Sequence, residues 1–594
     1  MVLSANEMAS LHCHSSFSLL DSTMSPEFIV QQAKELGYKA VALSEHGNMH
    51  SFINGYKEAK KQGIKYIFAS EVYETDDMDY KESDASRYHL LLLAKNKTGL
   101  DNLFKVVSEG ATRGFYGKPR IDRKLLKEHS EGLIATSACL ASRLMRLLQQ
   151  GYCPCCKQGN GEHKESCDND EVFEPKWEEA KVELQKYKDI FGDDFYIEIQ
   201  SHDTYDQKIG NQRILQLAKE TDTKFILTFD AHMKDGDEKT LDIHRRFIEV
   251  SQSGREVGET YVGCYQQDMD TVYNTLIPQI GQEDLEQAIL NTGALADSCE
   301  DIELDLSRPP IMPHIKVPSK FEKDIDYLKH IVNKGWIKRE IHKKTKEEQK
   351  IYKERVLHEI DILEKLDYTG YFLIIYKFMN KFKEEGIPLG WGRGSAAGSL
   401  ILYLIGVTEV DSVYWDLDFS RFANLGRRQM ADVDIDISKE QRGKALKITD
   451  DMFGKNKVAH LCTFNSFSPK VAIKDLGKVF NNDKDSPYYE QIPYALREKA
   501  SEAIPDGTEI QDALKSSNVL KDIKERFPLW IEYAQELQNL PKSVGSHASA
   551  IIIANEDITN YAPVMYNKDG RIMMQVEMKN AEKDLSLVKF DYLG

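Results

Sequence analysis

The 594-residue chain has no apolar run able to cross a bilayer: the longest, near Leu400 to Val407, falls far short of the roughly 20 residues a membrane helix needs. Met1 to Ser10 lack the basic-then-apolar pattern of a secretory signal, so the expectation is a cytoplasmic chain with no membrane partner. A basic excess is absent too. Against 78 Lys and Arg stand 96 Asp and Glu, a net charge of -18, which excludes nucleic-acid binding through overall charge and leaves only local patches to do it. Basic residues do cluster between Lys334 and Arg355 (Lys338, Arg339, Lys343, Lys344, Lys346, Lys350, Lys353) and recur at Arg427 and Arg428. Cysteine is scarce, nine in all, and four of the nine lie between positions 153 and 167, so no disulfide framework is expected. With 41% hydrophobic residues, a chain this long can bury several cores, and three or four domains are expected.

The densest chemistry lies between Gly390 and Ile437. Gly390-Trp391-Gly392-Arg393-Gly394-Ser395-Ala396-Ala397-Gly398-Ser399 lets successive backbone N-H groups converge on phosphate oxygens, and Arg393 adds a permanent cation. Asp432-Val433-Asp434-Ile435-Asp436 follows, and as a strand its period of two sets three carboxylates on one face. Hard divalent cations favour such oxygen clusters, and two of them can clamp the attacking and leaving oxygens of a phosphoryl displacement.

The first 250 residues alternate strand and helix. Ser25-Pro26 opens an apolar-periodic helix that stops at Gly37, and strands are expected over Tyr38 to Leu43, Ile64 to Ala69, Tyr88 to Ala94, Gly132 to Thr136, Phe195 to Gln200 and Lys224 to Phe229. Ligand-type residues accompany them: His12-Cys13-His14, Glu45-His46, Glu71, His89, Cys139 and Asp230-Ala231-His232. Metal-binding side chains at the carboxyl ends of consecutive parallel strands are how a βα barrel assembles one site from distant sequence. Mixed imidazole, carboxylate and thiol donors suit Zn2+, Mn2+ or Fe2+ better than Mg2+. A separate group, Cys153-x-x-Cys156 and His163-x-x-x-Cys167, has the spacing of a small structural Zn2+ knuckle, with Cys155 as an alternative ligand. Its bland alternative is a thiol-bearing loop.

These segments, with Leu540-Pro541-Lys542-Ser543-Val544-Gly545-Ser546-His547-Ala548-Ser549-Ala550 and Val588-Lys589-Phe590-Asp591-Tyr592-Leu593-Gly594, resemble the alpha subunits of bacterial replicative DNA polymerase III, the C-family polymerases. The resemblance runs from Leu11 to Gly594. It implies an α/β multidomain chain: a βα barrel of the polymerase-and-histidinol-phosphatase (PHP) type over 1–270 with the insertion at 152–170, an α+β nucleotidyltransferase-like palm over 271–437, a mostly helical thumb over 438–535, and a return to the palm over 536–594. It further implies that Asp432, Asp434 and Asp591 are catalytic carboxylates for Mg2+, and that Gly392, Arg393, Gly394 and Ser395 cradle a triphosphate with Lys542 and His547 nearby. His12, His14, Asp21, His46, Glu71, His89, Cys139, Asp230 and His232 are the implied ligands of the barrel site. Thr463-Phe464, Lys470, Lys474 and Asp475 match the family segment that closes on the polymerase site. Two positions depart from the pattern: Ala431 stands where the family has proline and Ser420 where it has glutamate, and neither removes a ligand.

The implied activity is template-directed DNA synthesis from dNTPs on primer-template DNA, with 3'-to-5' exonuclease trimming at the barrel. Because the family continues with fingers and clamp-binding regions, a second chain carrying them, and through it a sliding clamp, is the implied partner. The alternatives from other classes are a stand-alone PHP nuclease with a vestigial palm and a non-catalytic assembly subunit; intact ligands at both sites argue against each.

Overall fold

The computed structural model describes residues 3–149, 175–251, 261–306, 308–426 and 433–593. The expected knuckle (Cys153, Cys155, Cys156, His163, Cys167), the pair Arg427 and Arg428, and Asp432 lie outside the described residues. Two compact units emerge, Met1–Glu303 with Phe464–Val544 and Leu304–Thr463 with Gly545–Gly594. Among the described residues no helix is long and apolar enough to cross a membrane.

The first unit is built on a seven-stranded sheet: β1 (Ala40–Leu43), β2 (Lys65–Glu74), β3 (Tyr88–Ala94), β4 (Arg120–Ile121), β5 (Leu133–Thr136), β6 (Phe195–Gln200) and β7 (Phe225–Thr228). Its order is β1-β2-β3-β5-β6-β7, with β4 beside β2. Residues 10–14 close it, bridging in parallel to Val41 at one edge and to Ala231 at the other. One expectation needs correction. β3 runs antiparallel to both β2 and β5, so the strands are not uniformly parallel, and His89 reaches the common end from the start of its strand rather than after it. Small side chains fill the barrel (Ala9, Ala40, Ala42, Ala69) beside Leu91, Ile134 and Ile226, and the helix Gln282–Ser298 contributes Leu295 and Ala296 to the same core. That burial sets residues 271–303 with the barrel rather than with the palm, where the sequence reading put them.

Residues 464–544 form a helical cluster around Trp530, Phe480, Ile473 and Leu476, and Phe247 and Ile248 of the helix Glu238–Ser251 complete that core. Ser468 caps the helix Pro469–Asn482 by accepting from the Val471 N-H, with proline at its first position, where no amide donor is needed. Residues 442–453, expected in the thumb, instead form a helix of the second unit, and a strand, β9 (Val458–Ser466), precedes the helical run.

In the second unit β8 (Asp434–Asp436) and β9 are joined by β10 (Pro541–Ile553), β11 (Val564–Tyr566), β12 (Ile572–Glu577) and β13 (Lys589–Leu593) in the order β11-β12-β9-β10-β13-β8. The aromatic helix Thr369–Glu384 packs Tyr371 and Phe378 on Phe590 of β13, at ring distances of 5.3 and 5.8 Å. The Val433 N-H donates to the Tyr371 hydroxyl at 2.9 Å, fixing the backbone that enters the acidic strand.

Arg246 is a buried cation of the first unit. It pairs with Asp242 at 3.3 Å and Asp483 at 3.0 Å and lies over the Phe480 ring at 4.2 Å. Removing one partner of a buried pair leaves the other uncompensated, so Arg246→Ala is expected to destabilise this unit by about 3–5 kcal/mol. A guanidinium titration followed by tryptophan fluorescence of Trp530 checks it.

Candidate functional site

Two sites are present, one in each unit. At the barrel, extended residues 12–14 and 230–232 are stitched by the Ala231 N-H to the His12 carbonyl (3.1 Å) and the His14 N-H to the Ala231 carbonyl (2.8 Å). The period of two along each stretch then points His12 with His14, and Asp230 with His232, toward one centre. Asp230 adopts φ +47°, a left-handed conformation strained for a non-glycine residue and commonest where function needs it.

Three overlapping donor groups result: His14, His46 and His232; His12, His14, Glu71 and Asp230; and His46, Glu71 and His89, each with one atom per residue within 4.8 Å of the others. Seven of the nine expected ligands are in these groups. The other two adjoin them: Asp21 lies 2.8 Å from His46 Nε2, and the Cys139 thiol lies 3.4 Å from His89 Nδ1. The arrangement fits cations. His12 Nε2, His14 Nε2, Glu71 Oε2 and Asp230 Oδ1 are buried and none makes a hydrogen bond, although Asp230 Oδ1 lies 3.3 Å from both histidine nitrogens and Glu71 Oε2 lies 3.4 Å from His14 Nε2. Buried polar atoms left unpaired are costly, and a cation held among ones that converge would satisfy them.

Sequence reasoning missed the residues that aim these ligands. The Glu198 carboxylate accepts from His12 Nδ1 at 2.9 Å and turns Nε2 toward Glu71 and Asp230; burial alone would lower the His12 pKa, but these three acids outweigh it and raise it. The Ser18 hydroxyl donates to Glu45 at 2.7 Å and must therefore accept from His14 Nδ1 at 2.9 Å. The Asp230 carbonyl can only accept, so His232 Nδ1 donates to it at 2.7 Å. Glu198 was legible as an acid flanked by apolar residues in Phe195-Tyr196-Ile197-Glu198-Ile199, a position buried on a strand. Burial, then the facing His46 and His232, holds the His14 imidazole down at about 3, a neutral donor. For His46, burial alone would lower the value, but Glu71 and Asp21 outweigh it and raise it to about 10. Phe464, expected to close on the polymerase site, instead meets Phe17 at 4.9 Å and His50 at 5.0 Å beside this cluster.

The second site brings together the glycine loop and the acidic strands. β13 pairs in parallel with β8, and Asp591 stands directly opposite Asp434. Asp591 Oδ1 is buried without a hydrogen-bond partner, while its Oδ2 lies 2.9 Å from Lys589 Nζ. Oxygen donors alone suit a hard cation. The Gly390 N-H donates to the Asp436 carbonyl at 3.0 Å, and a Cβ there would stand 2.5 Å from the Asp436 side chain. Gly394, at φ +60° in the left-handed region that favours glycine, faces the Asp434 carboxylate, where an added Cβ would lie at ordinary contact distance, 3.9 Å from Oδ2. Arg393 pairs with Asp436 at 3.1 Å. His547 Nδ1 accepts the Ala550 N-H at 3.0 Å, which leaves Nε2 carrying the proton. Burial lowers its pKa, with Asp591 opposing and Lys589 and Arg442 adding to the depression. Lys542, expected here, belongs to the first unit, where it pairs with Asp475 at 2.8 Å.

The loop has a buried anchor that sequence reasoning missed. Glu359, fully buried on the helix Lys346–Leu366, accepts from the Ser399 hydroxyl and from the Leu400 and Ile401 N-H groups at 2.9, 2.9 and 3.0 Å. Arg355 pairs with it at 2.7 Å and donates to the Gly398 and Leu417 carbonyls. Arg355 and Arg339, which pairs with Glu409, are thus committed internally rather than offered to nucleic acid.

A barrel closed over a His, Asp and Glu cluster, followed by an α/β unit whose acids face a glycine loop, defines a PHP-type domain joined to a polymerase-type domain. Residues 10–202 match the PHP domain model and residues 326–594 the model described as bacterial DNA polymerase III alpha NTPase domain. Residues 10–202 thus carry a PHP-type domain and residues 326–594 a domain of the bacterial DNA polymerase III alpha type. Proteins named DNA polymerase III subunit alpha from Borreliella burgdorferi and Helicobacter pylori are 32% and 33% identical, each over 98% of this chain and 48% of its own length. The one from Aquifex aeolicus is 30% identical over 99% and 51%. The chain therefore spans about half the length of the curated relatives it matches. A solved metal-dependent phosphoesterase from Bifidobacterium adolescentis, 13% identical, covers 46% of this chain and 98% of its own at a TM-score of 0.23, too slight a likeness to carry an argument.

Because Glu198 orients the His12 ring, Glu198→Gln is expected to weaken Mn2+ binding by about 10–100-fold while the barrel stays folded. Metal titration by calorimetry, with circular dichroism as the folding control, checks it. Glu359→Gln is expected to loosen the loop, raising amide exchange at Leu400 and Ile401 by at least about tenfold, through loss of a charged acceptor.

Proposed function

We propose that this chain carries the nucleotidyl-transfer centre of a DNA polymerase, with a phosphodiester-hydrolysing centre in its barrel that trims a mismatched primer 3' end. One observation carries the first reading: Asp591 stands opposite Asp434 on adjacent parallel strands, beside a loop in which Gly394, left-handed at φ +60°, passes Asp434 and Gly390 leaves no room for a Cβ against Asp436. Asp434 and Asp591, with Asp432 as the third acid by motif, would hold Mg2+. The nine barrel residues His12, His14, Asp21, His46, Glu71, His89, Cys139, Asp230 and His232 would hold Mn2+, Zn2+ or Fe2+. Divalent ions at the two centres would supply Lewis-acid polarisation of a phosphoryl oxygen and a lowered pKa for the attacking hydroxyl or water.

The chain's own groups do the rest. Backbone N-H groups of Gly392, Gly394 and Ser395 bind triphosphate oxygens, and Arg393 exchanges Asp436 for the substrate's negative charge. His547, neutral with its proton on Nε2, donates to the leaving phosphate without competing for cations. Lys589 Nζ, 2.9 Å from Asp591 Oδ2, orients that carboxylate. At the barrel, Glu198 and Ser18 hold the proton on Nδ1 of His12 and His14, which turns Nε2 of each ring toward the cluster. Primer-template DNA and dNTPs are the substrates. A second chain carrying fingers and clamp contacts is the expected associate.

Primer extension by this chain combined with such a partner tests the reading. Asp434→Asn is expected to lower the extension rate at least about 100-fold by removing a ligand charge, while trimming continues. Asp230→Ala with His232→Ala is expected to abolish Mn2+-dependent trimming of a mismatched primer and leave extension intact. Extension near the wild-type rate by Asp434→Asn would sink the assignment.

A further inference from the structure

The second unit holds a cavity of about 610 Å³ on which neither centre draws. Its wall carries Lys316, Lys377, Lys457 and His314 and no carboxylate, in a chain where acids outnumber bases by 96 to 78. Among the described residues none of these four side chains takes part in an ion pair, whereas Lys381 and Lys444 of the same unit pair with Glu384 and Glu385. Charge left unneutralised in a concave site concentrates an attractive field for anions.

Two of the cations are held in place. Lys377, half-buried on the helix Thr369–Glu384, donates to the Lys316 carbonyl at 2.8 Å, and Lys457 donates to the Asn555 carbonyl at 2.5 Å. Asn555 ties the wall together, its side chain accepting from the His314 N-H at 2.5 Å and donating to the Met312 carbonyl at 2.9 Å. Each ammonium carries three donors, so one bond to a carbonyl leaves two for a ligand. The floor is apolar, made by Met452 and Phe453, with Phe453 braced at 5.7 Å by Phe378. Pinned cations around an apolar floor, in a volume within the usual range for small-ligand sites, describe a receptor for an anion with a flat apolar body.

We propose that this cavity binds a nucleoside phosphate, its phosphates on Lys316, Lys377 and Lys457 and its base against Met452 and Phe453. The same chemistry is offered by a free nucleotide and by the terminal nucleotide of a single strand, and the test separates them. Calorimetric titrations of the 594-residue chain in EDTA, which silences cation-dependent triphosphate binding at the glycine loop, would use dATP, inorganic pyrophosphate and a 5'-phosphorylated oligonucleotide. EDTA-resistant binding of dATP alone assigns the free nucleotide; tighter binding of the oligonucleotide, lost on removal of its 5'-phosphate, assigns the strand end. Lys377→Gln with Lys457→Gln should weaken whichever ligand binds at least about tenfold. Lys316→Gln, at an exposed side chain whose backbone alone serves the fold, should weaken it a few-fold with no change in melting temperature. Absence of EDTA-resistant binding, binding unaffected by these variants, or pyrophosphate binding as tightly as dATP would overturn the proposal.

Discussion

The barrel site depends on a short backbone seam. Residues 10–14 donate to and accept from Ala40, Ala42 and Ser44 on one side and Ala231 on the other, so the earliest stretch of the fold is held between its first and last strands. Backbone amides and carbonyls make the seam. The side chains are thereby released to face inward, and His12 and His14 meet Asp230 and His232 across more than two hundred positions of sequence. The energetic cost is concentrated there as well. Buried imidazoles and carboxylates repel or neutralise one another according to which neighbours face them, as the opposite displacements of His14 and His46 illustrate. Such a cluster is tolerable only because outer hydrogen bonds from Glu198, Ser18 and the Asp230 carbonyl fix each ring.

The second unit solves the matching problem by register rather than by a seam. Parallel pairing of β8 with β13 sets Asp434 against Asp591, and the glycine loop is brought over them by the Gly390 amide and by an antiparallel bridge between Leu389 and Ile437. The far end of the loop is fixed by a buried charge. Glu359 takes the first free amides of the helix Leu400–Leu404, which has too few residues to hold itself, and Arg355 balances that charge while gripping two carbonyls. Glycine supplies the close approach and a buried ion pair supplies the rigidity.

Much of this was legible in the residues, and the illegible part has identifiable causes. Strands such as Phe195–Gln200 and Tyr88–Ala94 were bounded correctly because apolar runs between turn signals mark buried strands. Their direction was not legible. The antiparallel course of β3 is set by its pairing with β2 and β5, which no local pattern encodes. The ligand-type residues stood out because histidine and acid next to strands are rare, whereas Glu198 and Glu359 sat inside apolar periodic stretches and read as ordinary members of their elements. Boundaries drawn from motif order failed at residues 271–303 because Leu295 and Ala296 spend their apolar surface on the barrel. Lys542 and Phe464 are the same lesson at single positions: adjacency to a motif in sequence did not fix which core each side chain joined.

The β8 and β13 pairing also governs how this chain must fold. Asp434 and Asp591 are 591 − 434 = 157 positions apart, and residues 464–544 between them belong to the other compact unit. Contacts of long sequence separation carry a loop-closure cost before they are rewarded, so they form late. During synthesis the acidic strand emerges well before its partner and must wait, edge unpaired, until the helical segment has condensed elsewhere and the last strand arrives. The polymerase-type site is therefore among the later pieces of its unit to be assembled.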